Sequence, residues 1–262
     1  MTDWSATSCK NVVGVAVGFN ADDNNESWPA KPRLRDFRVN QPQSSDEQHQ
    51  FRTCEEWEIL NIDSVVWRLS MQFERLAIPD VVKITPARFG DNRGYFSEVF
   101  KDSWFRENVA DVSFVQDNQS LSATPGTVRG LHFQLEPFGQ GKLVRCIQGS
   151  IFDVAVDIRL GSPTYGQWVG AELSADNGAQ LWIPVGFAHG FATLVPDTIL
   201  HYKVTAPYSA KDDRGLLWDD ADIGIEWPFD MSAAVLSDKD KVQPKLADLP
   251  PSFHYAASGE TV

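Results

Sequence analysis

An all-β domain, an antiparallel sandwich or barrel, is what the sequence predicts after residue 70. Three observations carry that prediction. Residues 151–158 alternate cleanly, with Phe152, Val154, Val156 and Ile158 on one face and Asp153, Ala155 and Asp157 on the other, the period of two that a strand imposes. Residues 168–173 and 180–184 read as two strands joined by a tight turn at Asp176-Asn177-Gly178. Gly149, Gly161-Ser162-Pro163 and Gly186 punctuate neighbouring apolar segments, and helical periodicity is confined to residues 103–109.

The first 70 residues have a different character. Two polar, breaker-rich runs, residues 20–27 and 41–48, have the composition of disorder and flank a short basic patch between Lys31 and Arg38. Trp57, Leu60, Val65, Leu69 and Phe73 are compatible with one short helix or strand, not with a complete core. At Met71 the pattern changes, and residues 71–80 read as the opening strand of a domain. Residues 1–70 are therefore expected to be a poorly ordered extension or an upstream reading-frame artefact, and residues 71–262 the folded domain.

Composition bounds the function. Nine tryptophans and 42% hydrophobic residues in 262 are ample for a sizeable core. A formal net charge of -13 argues against a nucleic-acid or anionic-membrane partner, which basic patches would bind. It does not argue against a small anionic ligand held by a few local cations. Cys9, Cys54 and Cys146 are odd in number and lack metal-ligand spacing, so reduced thiols in a cytoplasmic protein are expected. No stretch has the length of a membrane helix, and the N-terminus lacks the layout of a signal peptide.

Two of the five histidines stand in Gly-flanked apolar strand contexts, His132 in Arg129-Gly130-Leu131-His132 and His189 in Gly186-Phe187-Ala188-His189. Imidazole titrates near neutrality, so proton transfer on a β scaffold is the first idea. An isolated histidine is a satisfied core residue more often than a catalytic one, by about two to one. Arg129, Lys142 and Arg145 nearby reverse those odds, because cations gather in a buried strand system only around a ligand or acidic partners. Strict alternation puts His132 and Arg129 on opposite faces. If both serve one cavity the period must break, and Gly130 is the natural place for a bulge. Tyr202 reads by itself as a half-buried tyrosine at a sheet edge. Asp240 reads as a solvated turn residue that gains meaning only beside a histidine, whose tautomer it would fix and whose basicity it would raise.

Pro184-x-Gly186-x-x-His189 is the second half of a cupin motif. Metal-binding cupins also need His-x-His and a glutamate from the first half. Here that segment is His132-Phe133-Gln134, with Glu136 as an isolated carboxylate, so the site is read as metal-free.

Seven segments together resemble the dTDP-4-dehydrorhamnose 3,5-epimerase family. They are Asp91-Asn92-Arg93-Gly94-Tyr95-Phe96-Ser97-Glu98, Phe114-Val115-Gln116-Asp117-Asn118-Gln119-Ser120, Arg129-Gly130-Leu131-His132-Phe133-Gln134, Gln140-Gly141-Lys142-Leu143-Val144-Arg145, Phe152-Asp153-Val154-Ala155-Val156-Asp157, Gln180-Leu181-Trp182-Ile183-Pro184 and Gly186-Phe187-Ala188-His189-Gly190-Phe191. The resemblance spans residues 71–228 and continues more weakly to Leu246. It implies a double-stranded β-helix (jelly-roll, cupin-like) fold with a few short helices, a homodimer, and catalysis without metal or organic cofactor. It implies His132 as general base paired with Asp240, Tyr202 as the acid on the opposite face of the sugar, and Lys142 beside the keto oxygen. By the same resemblance Arg93, Phe96 and Glu98 (often from the partner subunit), Gln116, Asn118, Arg129, His189 and Lys239 contact substrate, and Tyr208 stacks on the base. The family's glutamate after that tyrosine is replaced here by Asp213, followed by Arg214.

The chemistry so implied is epimerisation at C3 and C5 of dTDP-4-dehydro-6-deoxyglucose. A C4 ketone acidifies both carbons, a lysine ammonium stabilises the enolate, a base removes the proton and an acid on the far face returns one. The alternatives are a monofunctional 3- or 5-epimerase of another deoxysugar pathway, a metal-dependent cupin and a non-catalytic sugar-binding cupin.

Overall fold

The computed structural model describes residues 71–255, so the expectations for residues 1–70 lie outside the described residues. Fifteen strands and one α-helix follow one another among them. A six-stranded antiparallel sheet has the order β1 (Gln72–Arg75), β2 (Val82–Thr85), β11 (Gln180–Ile183), β7 (Lys142–Gln148), β13 (Thr198–Val204) and β5 (Gln116–Ser122). A five-stranded antiparallel sheet has the order β10 (Trp168–Ser174), β8 (Ser150–Asp157), β12 (Phe187–Thr193), β6 (Val128–Gln134) and β14 (Asp213–Gly215). β3 (Phe89–Asp91) and β4 (Gly94–Phe96) form a separate hairpin, and β15 (Phe253–His254) pairs in parallel with β9 (Arg159–Leu160). The architecture is the double-stranded β-helix, or jelly roll. The short helix α1 (Asp102–Asn108) falls where helical periodicity predicts it, one residue earlier.

The 168–184 segment corrects one detail of the sequence reading. Both strands and the turn are present, but β10 pairs with β8 whereas β11 pairs with β2 and β7. The turn carries the chain from one sheet to the other instead of closing a hairpin.

Three apolar layers follow from the alternation. Between the sheets, Val144, Leu181 and Leu200 from one side meet Ile151, Leu173 and Phe191 from the other. On the outer face of the five-stranded sheet, Leu131, Val154 and Val156 are covered by Trp218, Ile225 and Trp227 of the C-terminal segment. Outside the six-stranded sheet, Val82, Leu143 and Trp182 receive Phe105 of α1. Phe105 is 1% exposed and stacks edge-on against Phe114 and Trp182, so its truncation to alanine is expected to cost about 3–5 kcal/mol. Both faces of β8 are therefore buried, and its polar face looks into the sandwich.

Candidate active site

At one end the two sheets separate around a cavity of about 440 Å³. Ser120, Lys142 and Tyr202 enter it from the six-stranded sheet; Arg129, His132 and His189 enter from the five-stranded one. A C-terminal strap, residues 235–240, closes a third side with Lys239 and Asp240. The strap is anchored by a parallel bridge in which the Val128 N–H donates to Val235 and the Val235 N–H to Gly126.

His132 and Arg129 share this cavity because β6 carries the bulge that Gly130 suggests. His189 lies opposite His132 and Phe191 opposite Arg129, so β6 spends one more residue than β12 over the same span. Gly130 has φ +133°, and a Cβ there would lie 2.6 Å from the Gly190 Cα. The bulge also aims the Gly130 N–H at the Asp240 carboxylate. Asp240 Oδ1 lies 2.6 Å from His132 Nε2. A carboxylate only accepts, so Nε2 holds the proton and Nδ1 is left as the basic nitrogen. Asp240 is 3% exposed. Burial works against its charge, but hydrogen bonds from His132, Ser237 and Gly130 hold its carboxyl below the usual aspartate range.

Lys142 is buried, and its Nζ donates to the His132 carbonyl oxygen at 3.2 Å. Burial pushes its ammonium down to about 8, against the opposing pull of Asp153 and Asp213. Tyr202 is not at a sheet edge: β13 runs between β7 and β5, and the ring packs against the intersheet core. Burial raises its hydroxyl above the usual phenol value, Arg129 opposing and Asp213 adding to the effect. At neutral pH Tyr202 is a proton donor.

His189, expected as a substrate contact, forms a second histidine–carboxylate pair. Its Nε2 lies 2.8 Å from Oδ1 of Asp153, which is completely buried beneath it on β8. Burial lowers the His189 imidazole below its ordinary value despite that carboxylate. Sequence reasoning missed Asp153, Ser120 and Phe191. The signal for Asp153 was present in the strict alternation of β8, whose polar face turns out to be internal.

The other expected binding residues divide into two groups. Asn118, Gln116, Tyr208, Asp213 and Lys239 are linked in series beside the cavity. Gln116 donates to Asn118 at 2.8 Å and accepts the Tyr208 N–H at 3.1 Å; the Tyr208 hydroxyl reaches Asp213 at 3.4 Å. Asp213 also takes Lys239 as its ion-pair partner, so the shorter carboxylate is integrated into the site. Arg93, Phe96 and Glu98, by contrast, do not line the cavity of their own chain. Arg93 pairs with Asp91, and Phe96 is 70% exposed at the end of the β3–β4 hairpin.

Among the described residues no three His, Cys, Asp or Glu side chains converge to hold a metal ion. Gln134, where a His-x-His motif has its second histidine, donates to the Phe138 and Pro207 carbonyls and accepts from the Ser209 N–H. Cys146 is free and buried, and no helix among the described residues is long and apolar enough to cross a membrane.

A family model described as dTDP-4-dehydrorhamnose 3,5-epimerase matches residues 75–248. A dTDP-4-dehydrorhamnose 3,5-epimerase of Sinorhizobium fredii is 68% identical over 185 residues, 71% of this chain and 94% of the relative. The crystal structure of dTDP-6-deoxy-D-glucose-3,5-epimerase from Legionella pneumophila, in complex with dTDP-4-keto-L-rhamnose, superposes with a TM-score of 0.69 at 41% identity, covering 71% of this chain and all of that one. A 3'-monoepimerase from Streptomyces bikiniensis, in complex with dTDP-quinovose, has a TM-score of 0.63 at 32% identity, covering 66% and 87%. With the match running through both sheets and the strap that carries Asp240, the chain belongs to the dTDP-4-dehydrorhamnose 3,5-epimerase family.

Proposed function

We propose that this chain inverts C3 and C5 of dTDP-4-dehydro-6-deoxyglucose, giving dTDP-4-dehydro-L-rhamnose for dTDP-L-rhamnose biosynthesis. The observation that carries the reading is the placement of His132 and Tyr202. They enter one cavity from opposing sheets, so a sugar ring between them has a base on one face and an acid on the other. His132 removes the proton beside the ketone through Nδ1, while Asp240 holds Nε2–H and accepts the charge of the imidazolium that forms. The electron pair moves onto the C4 oxygen, where the Lys142 ammonium stabilises the enolate in a cavity poor in water. Tyr202 then delivers a proton from the other face, and the centre is inverted. Once His132 has released its proton to solvent and Tyr202 has regained one, the same cycle at the second carbon completes the reaction, with no metal or organic cofactor taking part.

Arg129 and Lys239, which line the cavity, supply positive charge for the diphosphate, and the exposed Tyr208 stacks on the thymine. Arg93, Phe96 and Glu98 act on the cavity of a second copy. The homodimer that this requires fits a hairpin that leaves Phe89, Tyr95 and Phe96 exposed. We assign the epimerase domain to residues 71–262 and the protein to the cytoplasm.

Proton NMR of the substrate in D2O tests the reading. Deuterium at both C3 and C5, with dTDP-4-dehydro-L-rhamnose trapped by a coupled reductase, is expected. Deuterium at one carbon would mean a monofunctional epimerase, and none with folded protein would remove the epimerase assignment for this substrate.

A further inference from the structure

Asp153 takes no part in these proton transfers, yet it is 0% exposed. Its Oδ1 is fixed by His189, while Oδ2 is buried without a hydrogen-bond partner among the described residues. The carboxylate lies on the inner face of β8, covered by His189. A half-satisfied buried carboxylate is expensive unless a cation compensates it. Of the nearby cations, Lys239 is paired with Asp213, and Arg129 is drawn toward β5, where its guanidinium donates to Ser122 and to the Leu121 carbonyl. Lys142 donates only to a neutral carbonyl.

We propose that Asp153 is a positioning residue of the epimerisation, the fixed counter-charge that keeps Lys142 an ammonium beside the substrate ketone. The inference rests on the epimerase reading of the same site. His189 is the clamp. Because burial lowers its imidazole, it is neutral at pH 7, donates Nε2–H to Asp153 and leaves the negative charge uncancelled for Lys142. Around Lys142 stand His132 on β6, Asp153 on β8, His189 on β12, Tyr202 on β13, Asp213 on β14, and Lys239 and Asp240 on the strap. Of these, Asp153 opposes the loss of the Lys142 proton most strongly, and Asp213 follows.

The test is Asp153→Asn, which keeps the shape and removes the charge. Lys142 then loses its proton at lower pH, and the alkaline limb of kcat moves down by about one unit. The rate of the variant relative to wild type falls about fivefold between pH 6 and pH 8, the ratio of the ammonium fractions for that displacement. NMR of protein labelled with 15N-lysine reads the Lys142 titration without substrate and shows the same displacement. Because that measurement is independent of turnover, its outcome stands whether or not the epimerase reading does. An unmoved Lys142 titration, with a rate loss equal at all pH values, would overturn the proposal and leave Asp153 a packing residue. If the variant does not fold, wild-type protein labelled with 13C-aspartate decides. Asp153 must show a carboxylate signal at pH 7 that shifts as Lys142 titrates, and a protonated Asp153 there would refute the role.

Discussion

His132 Nε2 and Asp240 Oδ1 lie 2.6 Å apart although 108 residues separate them in the chain. The pair fixes one tautomer and leaves Nδ1 free. His132→Ala is expected to reduce deuterium uptake at both carbons by about 10³-fold or more, and Asp240→Asn by about 10²-fold. NMR in D2O checks both; exchange at the normal rate in His132→Ala would remove it as the base.

Tyr202→Phe separates the two halves of the reaction. With His132 and Lys142 intact, the enolate still forms and the substrate protons still wash out into D2O. Inversion should fall by about 10²-fold, because the far face has lost its acid. Product formation at the wild-type rate in a coupled reductase assay would discard the assignment.

Lys142 sets function against stability. Its folded-state value of about 8 lies below the ordinary lysine value of 10.5, so between these pH values the unfolded chain binds more protons and stability rises with pH. Lys142→Met should abolish turnover and remove this rise, because the titrating group is gone, while it leaves the buried Asp153 carboxylate without its cation. Urea unfolding at pH 7 and pH 10 checks this: stability relative to wild type should be lower at pH 10 than at pH 7, and an unchanged difference between the two would discard the assignment.

Gly130→Ala meets backbone, which cannot step aside. The added carbon would sit 2.6 Å from the Gly190 Cα and 2.9 Å from the His189 carbonyl oxygen, at φ +133°. A cost of about 3 kcal/mol or more is expected, with activity lost beyond what the unfolded fraction explains. Thermal denaturation beside turnover per folded molecule measures the two effects. Wild-type stability would mean that the bulge tolerates a side chain.

Much of this was legible in the sequence, and the remainder was hidden for identifiable reasons. Alternation along β8 separates its two faces correctly but cannot say what covers each one. The cover, Trp218 and Trp227, comes from a segment over 60 residues further on. The break in period at Gly130 was readable because His132 and Arg129 needed a common cavity. The turn at Asp176-Asn177-Gly178 was readable as a turn, but not as a passage between sheets, since the pairing partners of its two strands are remote. Asp240 came from resemblance alone, as nothing local distinguishes it from a solvated turn. Asp153 was overlooked because an aspartate on the polar side of an alternating strand normally faces water.

The base and the acid ride on different sheets, so the separation of those sheets where they part around the cavity sets the gap between imidazole and phenol that a sugar ring must fill. The packing of Val144, Leu200 and Phe191 thus acts as a spacer gauge for the stereochemistry. A core substitution that touches no substrate but thickens the sandwich would let a proton leave and return on the same side, turning an epimerase into a catalyst of hydrogen exchange alone.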